Sequence, residues 1–348
     1  MQTRIFKMKS RIKKVFTIIF LVVFSNLSVV AKQDKTEKYN PVPSIMHHIA
    51  DSHEWHLWGE GKNSMTIPLP VILYTDGNID VFMSSLFHHG LTEVKKGDRI
   101  YYMDSHGHIK EKTNKKIVDF SITKNVASMI ISMILLILIL TTVAKKYKNP
   151  YKEPKGTQGF LEPLILFVQN DIIKDNIGSK HQRYLPFLLT VFFFILINNL
   201  MGLFPGAANV TGNIAVTFVL SVFTFIITTI SGNKNYWGHI FSPPGVPLVL
   251  MPIMVPIEII GIFTKPFALM IRLFANITAG HIIILSLISL IFIAQSTMGN
   301  GGAFSVAPIS VLFVLFIYCI ELLVAFLQAY IFTLLSAVFI GLAVHDKH

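Results

Sequence analysis

The sequence predicts an all-α polytopic membrane protein that carries a small exported N-terminal domain. Three observations lead there. Of the 348 residues, 52% are hydrophobic and 14% charged, with a mean hydropathy of +0.59, a membrane-protein composition. Apolar runs of about 20 residues or more recur along the last two thirds of the chain, each long enough for a hydrocarbon core of about 30 Å. The net charge of +11 comes from bases at the N-terminus and in loops beside those runs. That placement is positive-inside flanking charge, not a nucleic-acid footprint. The single cysteine, Cys319, lies in an apolar run, so no disulfide framework forms within the chain.

Residues 1–31 read as a signal peptide: a basic stretch from Arg4 to Lys14, an apolar core from Val15 to Phe24, and a cleavage site at Val29-Val30-Ala31. Residues 32–122 are polar and mixed. The alternating run Thr66–Tyr74 and the strand-and-turn pattern of Asp98–Gly107 predict a small extracytoplasmic, β-rich domain. Eight of the 13 histidines fall in it, and His53-Glu54-Trp55-His56 invites a metal reading. Its histidines are three apart, unlike H-E-x-x-H, and no third ligand stands out, so surface or packing histidines are the better account.

The membrane domain, residues 123–348, begins with Val126–Ala144, a first span that runs into Lys145, Lys146 and Lys148 and so ends on the cytoplasmic side. Residues 159–179 are amphipathic, with Phe160, Leu164, Phe167, Val168, Ile172 and Ile173 on one face, and predict an interfacial helix. Tyr184–Leu203 is the second span; it ends near Asn198 and Asn199, two amides placed to bond across helices or to line a wet cavity. The uncharged loop 205–212 belongs outside, and Asn213–Ile230 returns inward. Two further apolar runs, Pro247–Gln295 and Ser310–Val344, would each exceed a perpendicular crossing at 1.5 Å per residue. They must therefore tilt, kink at Pro252, Pro256 and Pro266, or fold back. The glycine-rich linker 296–308 suits an outer turn. About five transmembrane helices follow, the last two long, steeply tilted and paired as a hairpin, with the C-terminus in the cytoplasm.

The chemistry lies in that hairpin. Arg272 sits deep in an apolar run whose nearest acid is Glu258, and a charge at such depth marks a functional site by default. Glu258, Lys265 and Arg272 are spaced seven apart, and Asn276 and Gly280 follow Arg272 at i+4 and i+8, so the five share a stripe. On the second helix Glu321 and Gln328 are also seven apart, and Ala325, Ala329 and Ala337 permit close approach. His281 and Glu321 titrate in an accessible range and are relay candidates, as a buried acid–imidazole pair. Arg272 is a fixed charge that holds a partner carboxylate ionised and repels passing cations. Lys265 also fits a snorkelling residue.

These residues carry a resemblance. Arg272-Leu-Phe-Ala-Asn276-Ile-Thr-Ala-Gly280, with Lys265-Pro266 before it, Leu327-Gln328-Ala-Tyr-Ile-Phe332 after it and Asn198-Asn-Leu-Met-Gly-Leu-Phe-Pro205 upstream, resembles subunit a of the F-type ATP synthase membrane sector over residues 160–345. The resemblance implies a non-catalytic, proton-translocating stator subunit that needs no cofactor. It implies two offset aqueous half-channels that load and unload carboxylates on a rotating c-subunit ring, with stator b subunits, the other synthase subunits and the lipid bilayer as partners. Arg272 matches the arginine that faces the ring carboxylates, and Gln328 the glutamine beside it. Many relatives carry an acid after Ala-Gly and a histidine on the last helix; here these are exchanged, to His281 and Glu321, which supports their proximity. Glu258 and Asn276 join the set by their places on the stripe. Two rival readings stand beside this one. A stand-alone ion-coupled secondary transporter would bind an anion at Arg272, but the chain shows no internal repeat. An exported metal-binding module would rest on the histidines of residues 32–122.

Overall fold

The computed structural model describes residues 39–58, 65–88, 90, 92–104, 107–113, 115–146, 156–204, 206–242 and 247–345. The signal-peptide reading of residues 1–31 lies outside them, as does most of the basic loop after the first span.

The N-terminal region is β-rich, as its alternation predicts. A short helix, α1 (Pro41–Ile49), starts where the Asn40 side chain accepts a bond from the Val42 amide. Eight strands follow: β1 (Glu54–Trp58), β2 (Met65–Pro68), β3 (Pro70–Thr75), β4 (Asn78–Met83), β5 (Val94–Lys96), β6 (Arg99–Met103), β7 (Ile109–Glu111) and β8 (Ile117–Asp119). They form an antiparallel β1–β2 hairpin and two three-stranded sheets, ordered β4-β3-β8 and β5-β6-β7. Alternation sends Val71, Leu73 and Phe82 of one sheet inward against Val94, Tyr101 and Ile109 of the other. The Tyr101 hydroxyl donates to Asp80 at 2.7 Å inside this core, and Arg99 donates to the same carboxylate.

Four helical stretches among the described residues are long and apolar enough to cross a membrane: Lys124–Lys145, Thr157–Gly202, Ile214–Ser231 and Met251–Val344. The fold is that of a polytopic membrane protein. We label the helices α2 (Lys124–Lys146), α3 (Thr157–Phe167), α4 (His181–Gly202), α5 (Ile214–Ser231), α6 (Lys234–Phe241) and α7 (Met251–Val344). Between α3 and α4 a π-helical turn, Val168–Lys174, leads to a break at Gly178, whose φ of 73° ends the helix. The amphipathic segment is thus separate from the span, as its pattern predicts, but its apolar face is not laid on a surface. Val168, Ile172, Ile173 and Ile177 are buried in the main core with Leu188, Phe192 and Ile340, while Phe160 is exposed.

α7 is two helices joined at one residue. Gly299 alone leaves helical geometry, at φ 69° and ψ −164°, a conformation open mainly to glycine. The broad linker expected at 296–308 is therefore a kink at Gly299 with helix on both sides. The arms run antiparallel: Asn276 meets Gln328, and Gly280 meets Glu321. Ala325, Ala329 and Ala337 are buried at the seam, where small side chains let helices approach.

The β-rich region caps the end of the bundle where α2 begins, α4 ends and α7 kinks. Trp55 Nε1 donates to the Gly206 carbonyl at 2.7 Å, Lys124 Nζ to the His48 carbonyl at 2.9 Å, and the Tyr39 and Phe292 rings are 5.5 Å apart. His53 Nε2 lies 2.8 Å from Asp119 Oδ2, holding β1 against β8. Burial alone would raise the Asp119 carboxyl, but the bonds from His53 and Ser121 outweigh it and hold it at about 2. At the opposite end, Asn233 and Lys180 donate to the Ala343 and Val344 carbonyls, which the last helical turn leaves without partners.

Candidate functional site

Each predicted site residue has a definite place on the α7 hairpin. Asn276 Nδ2 donates to Gln328 Oε1 at 3.0 Å, tying the arms together. Gln328 and Glu321 are buried. Gly280 faces Glu321 so closely that a Cβ there would collide with the carboxylate; the glycine makes room for the acid. One helical turn from Asn276, Arg272 is exposed and makes no hydrogen bond or ion pair with the described residues. Ile271 beside it is exposed, as are Ile320, Leu323 and Leu327 on the second arm. An unpaired guanidinium on an apolar helix surface is costly at membrane depth.

His281 is not paired with Glu321 in the way the sequence suggested. Successive helical residues point about 100° apart. Gly280 takes the position facing the second arm, and His281 turns toward the end of α4, its Nε2 3.9 Å from where a Cβ on Gly202 would lie. The two groups are neighbours across one residue, with no direct bond among the described residues.

The amides on α4 divide their roles. Asn199 donates to the Ala325 carbonyl at 3.2 Å and accepts from Thr211 at 2.6 Å, locking α4 to the second arm and to the turn before α5. Asn198 donates to its own helix, and its Oδ1 is buried with no partner.

Glu258 and Lys265 lie toward the opposite end of the first arm. Lys265 Nζ sits 5.4 Å from the centre of the Phe339 ring, a cation–π contact. It lines a cleft with Thr224, Thr228, Thr229 and Tyr236. Burial pushes the Tyr236 hydroxyl above its ordinary range, and the nearby Glu258 carboxylate pushes it the same way. Arg272 therefore lies between two polar regions, one at the capped end and one at the open end.

Sequence reasoning missed the polar seam of α5. Thr217, Ser221, Thr224 and Thr228 are all buried, and Thr224 meets Ser336 of the second arm. Their spacing of four, three and four follows one helical face, so the periodicity was the available signal.

Comparison with known proteins agrees with the hairpin. A family model described as ATP synthase A chain matches residues 126–341, most of the chain. The chain belongs to the subunit a family of the F-type ATP synthase. ATP synthase subunit a from Chloroherpeton thalassium is 50% identical over 238 residues, covering 66% of this chain and 69% of that protein. Subunit a from Chlorobium phaeobacteroides is 46% identical over 278 residues, covering 75% and 78%. Subunit a from an Anaeromyxobacter species is 41% identical over 319 residues, covering 87% and 71%. The capping region matches a second family model, Domain of unknown function (DUF8433), over residues 44–128. The subunit a match thus begins almost where the capping region ends, at the start of α2.

That cap carries no metal cluster among the described residues. His53 of the sequence motif bonds Asp119.

Proposed function

We propose that this chain is the proton-conducting stator subunit of an F-type ATP synthase, with two offset half-paths that meet the ring at Arg272. The observation that carries this reading is the exposed, unpartnered Arg272 on an apolar face, flanked along one helix by separate polar regions. In this reading the capped end is extracytoplasmic and the chain lies in a bacterial inner membrane with its C-terminus inside. A proton enters at the capped end and passes by His281 and Glu321 to a carboxylate on a c-subunit ring seated against Arg272, Asn276 and Leu323. The neutral carboxyl then moves into lipid. After most of a turn it returns and releases its proton into the cleft of Thr228, Tyr236 and Lys265, with Glu258 near the exit.

Arg272 supplies the guanidinium of the site. It favours the ionised ring carboxylate as that group passes and bars a direct proton leak between the half-paths. Asn276 and Gln328 position the helix surface around it. The membrane potential contributes about 2.3 kcal/mol per charge per 100 mV. The subunit performs no nucleotide chemistry in this scheme; b subunits and the other synthase subunits supply the stator and the catalytic sector. Replacing Arg272 with Ala in the assembled complex should abolish proton-driven ATP synthesis. Normal synthesis with an intact ring would sink the proposal, and transport by the purified chain without a ring would favour a stand-alone transporter.

A further inference from the structure

The two three-stranded sheets of the cap turn different outward faces to their surroundings. On β5-β6-β7 the outward positions include Lys95 and Lys110, while Val94, Ile109 and Glu111 beside them point inward. That is the ordinary arrangement for an antiparallel sheet with one packed and one solvated side. The sheet β4-β3-β8 is built otherwise. Its inward face carries Val71, Leu73 and Phe82. On its other face the register sets Pro70 beside Met83, Ile72 beside Val81, and Tyr74 beside Ile79 and Val118, each of them apolar or aromatic. Phe120 extends the row, its amide bonded to the Ile72 carbonyl. The acids of these strands point away from it: Asp80 meets Tyr101 and Arg99, and Asp119 meets His53. This second face lies open. Ile79 is 67% exposed and Phe120 65%, and Tyr74, Val81, Met83 and Val118 are exposed with them.

A sheet that is apolar on both sides has the composition of a layer covered on both sides. Soluble surfaces rarely expose a contiguous apolar patch beyond a few hundred Å² without a partner for it. At these exposures the six side chains present roughly 650 Å², so two such faces packed together would bury about 1,300 Å², inside the ~1,200–2,000 Å² of specific interfaces. Lipid is a poor cover. β4 is an edge strand, and hydrocarbon would leave its outward amides and carbonyls without partners. At the rim of a sheet-on-sheet contact they stay open to water. The face is uncharged, so a second copy of it meets no like charge. Phe120 also lies just ahead of α2, which starts at Lys124, so the face ends beside the first span, where two chains in one membrane come side by side.

We propose that the outward face of β4-β3-β8 is a self-association surface: two copies of the chain, each in its own synthase complex, pack these faces together across a two-fold axis as a β-sandwich. The same patch serves on both partners, as a two-fold interface requires, and the central strand β3 places Ile72 and Tyr74 near its middle. This inference concerns the cap and stands or falls independently of the half-path reading.

The test uses native membranes holding the assembled complex, in a Cys319→Ser background, and a bismaleimide of about 10 Å span, matched to the spacing of packed sheets. Tyr74→Cys should yield a cross-linked product of two copies of this chain. Lys95→Cys, on the outward face of the other sheet, should yield about tenfold less. Adding Val81→Lys to Tyr74→Cys should cut the product about tenfold, equivalent to ~1.4 kcal/mol of pairing free energy, with ATP synthesis unchanged. If Tyr74→Cys fails to assemble, Ile72→Cys carries the test. Equal yields from the two sheets would mean random collision and would overturn the inference. So would a product with a different protein, or labelling of Tyr74→Cys by a lipid-embedded maleimide in place of the cross-link.

Discussion

The two sides of Arg272 are built differently. Toward the capped end the polar groups are a carboxylate, an imidazole and several amides, enclosed by α2, α4 and both arms of α7. Toward the other end they are a lysine, a tyrosine and threonine hydroxyls around a cleft, with Lys265 resting on a ring. In the proposed reading, this difference in chemistry distinguishes the entry side from the exit side.

Three substitutions test that contrast beyond Arg272→Ala, which should have the largest effect. Gly280→Ala drives a methyl into the Glu321 carboxylate and should lower proton conduction about tenfold, with the complex still assembled. Near-normal conduction would mean that the position of Glu321 is unimportant to the enclosed side. Lys265→Met keeps the packing length and removes the charge. It should slow ATP synthesis about two- to threefold and shift its dependence on internal pH while leaving external pH dependence intact; a shift on the external side would reverse the assignment of the two sides.

The smallest effect concerns the cap. The folded value of Asp119, about 2, lies below its ordinary 3.8. The His53–Asp119 contribution is therefore complete above pH 3.8 and lost as pH falls through about 2. Asp119→Asn should destabilise the cap by on the order of 1 kcal/mol, a figure reduced for a partly exposed pair, and flatten its acid unfolding read by tryptophan fluorescence. An unchanged acid limb would mean that other carboxylates hold β1 in place.

Much of this site was legible in spacing alone. Intervals of seven and four placed Arg272, Asn276 and Gly280 on one helix, and Glu321 and Gln328 on its partner, because helical periodicity is local. The contacts between the arms depend on where the turn falls. A 13-residue linker at 296–308 left that register undetermined, whereas a kink confined to Gly299 fixes it. The expected His281–Glu321 pair failed for the same reason, since one residue of rotation separates facing the second arm from facing α4. The cap was legible as β-rich through alternation, but its seat on Gly206 pairs residues 151 apart in sequence, beyond any local pattern.

Gly299 also acts as the zero mark of a vernier. Residues 280 and 321 lie 19 and 22 positions from it, and residues 276 and 328 lie 23 and 29, so every match across the hairpin is counted from that kink. One residue inserted between Gly299 and Glu321 would advance the second arm by about 1.5 Å and turn its phase by about 100°. Gln328 would then point away from Asn276, and Glu321 away from the gap at Gly280, with no site residue altered. The charge chemistry around Arg272 is thus dialled in at a distance, by the number of residues between it and a single pivot.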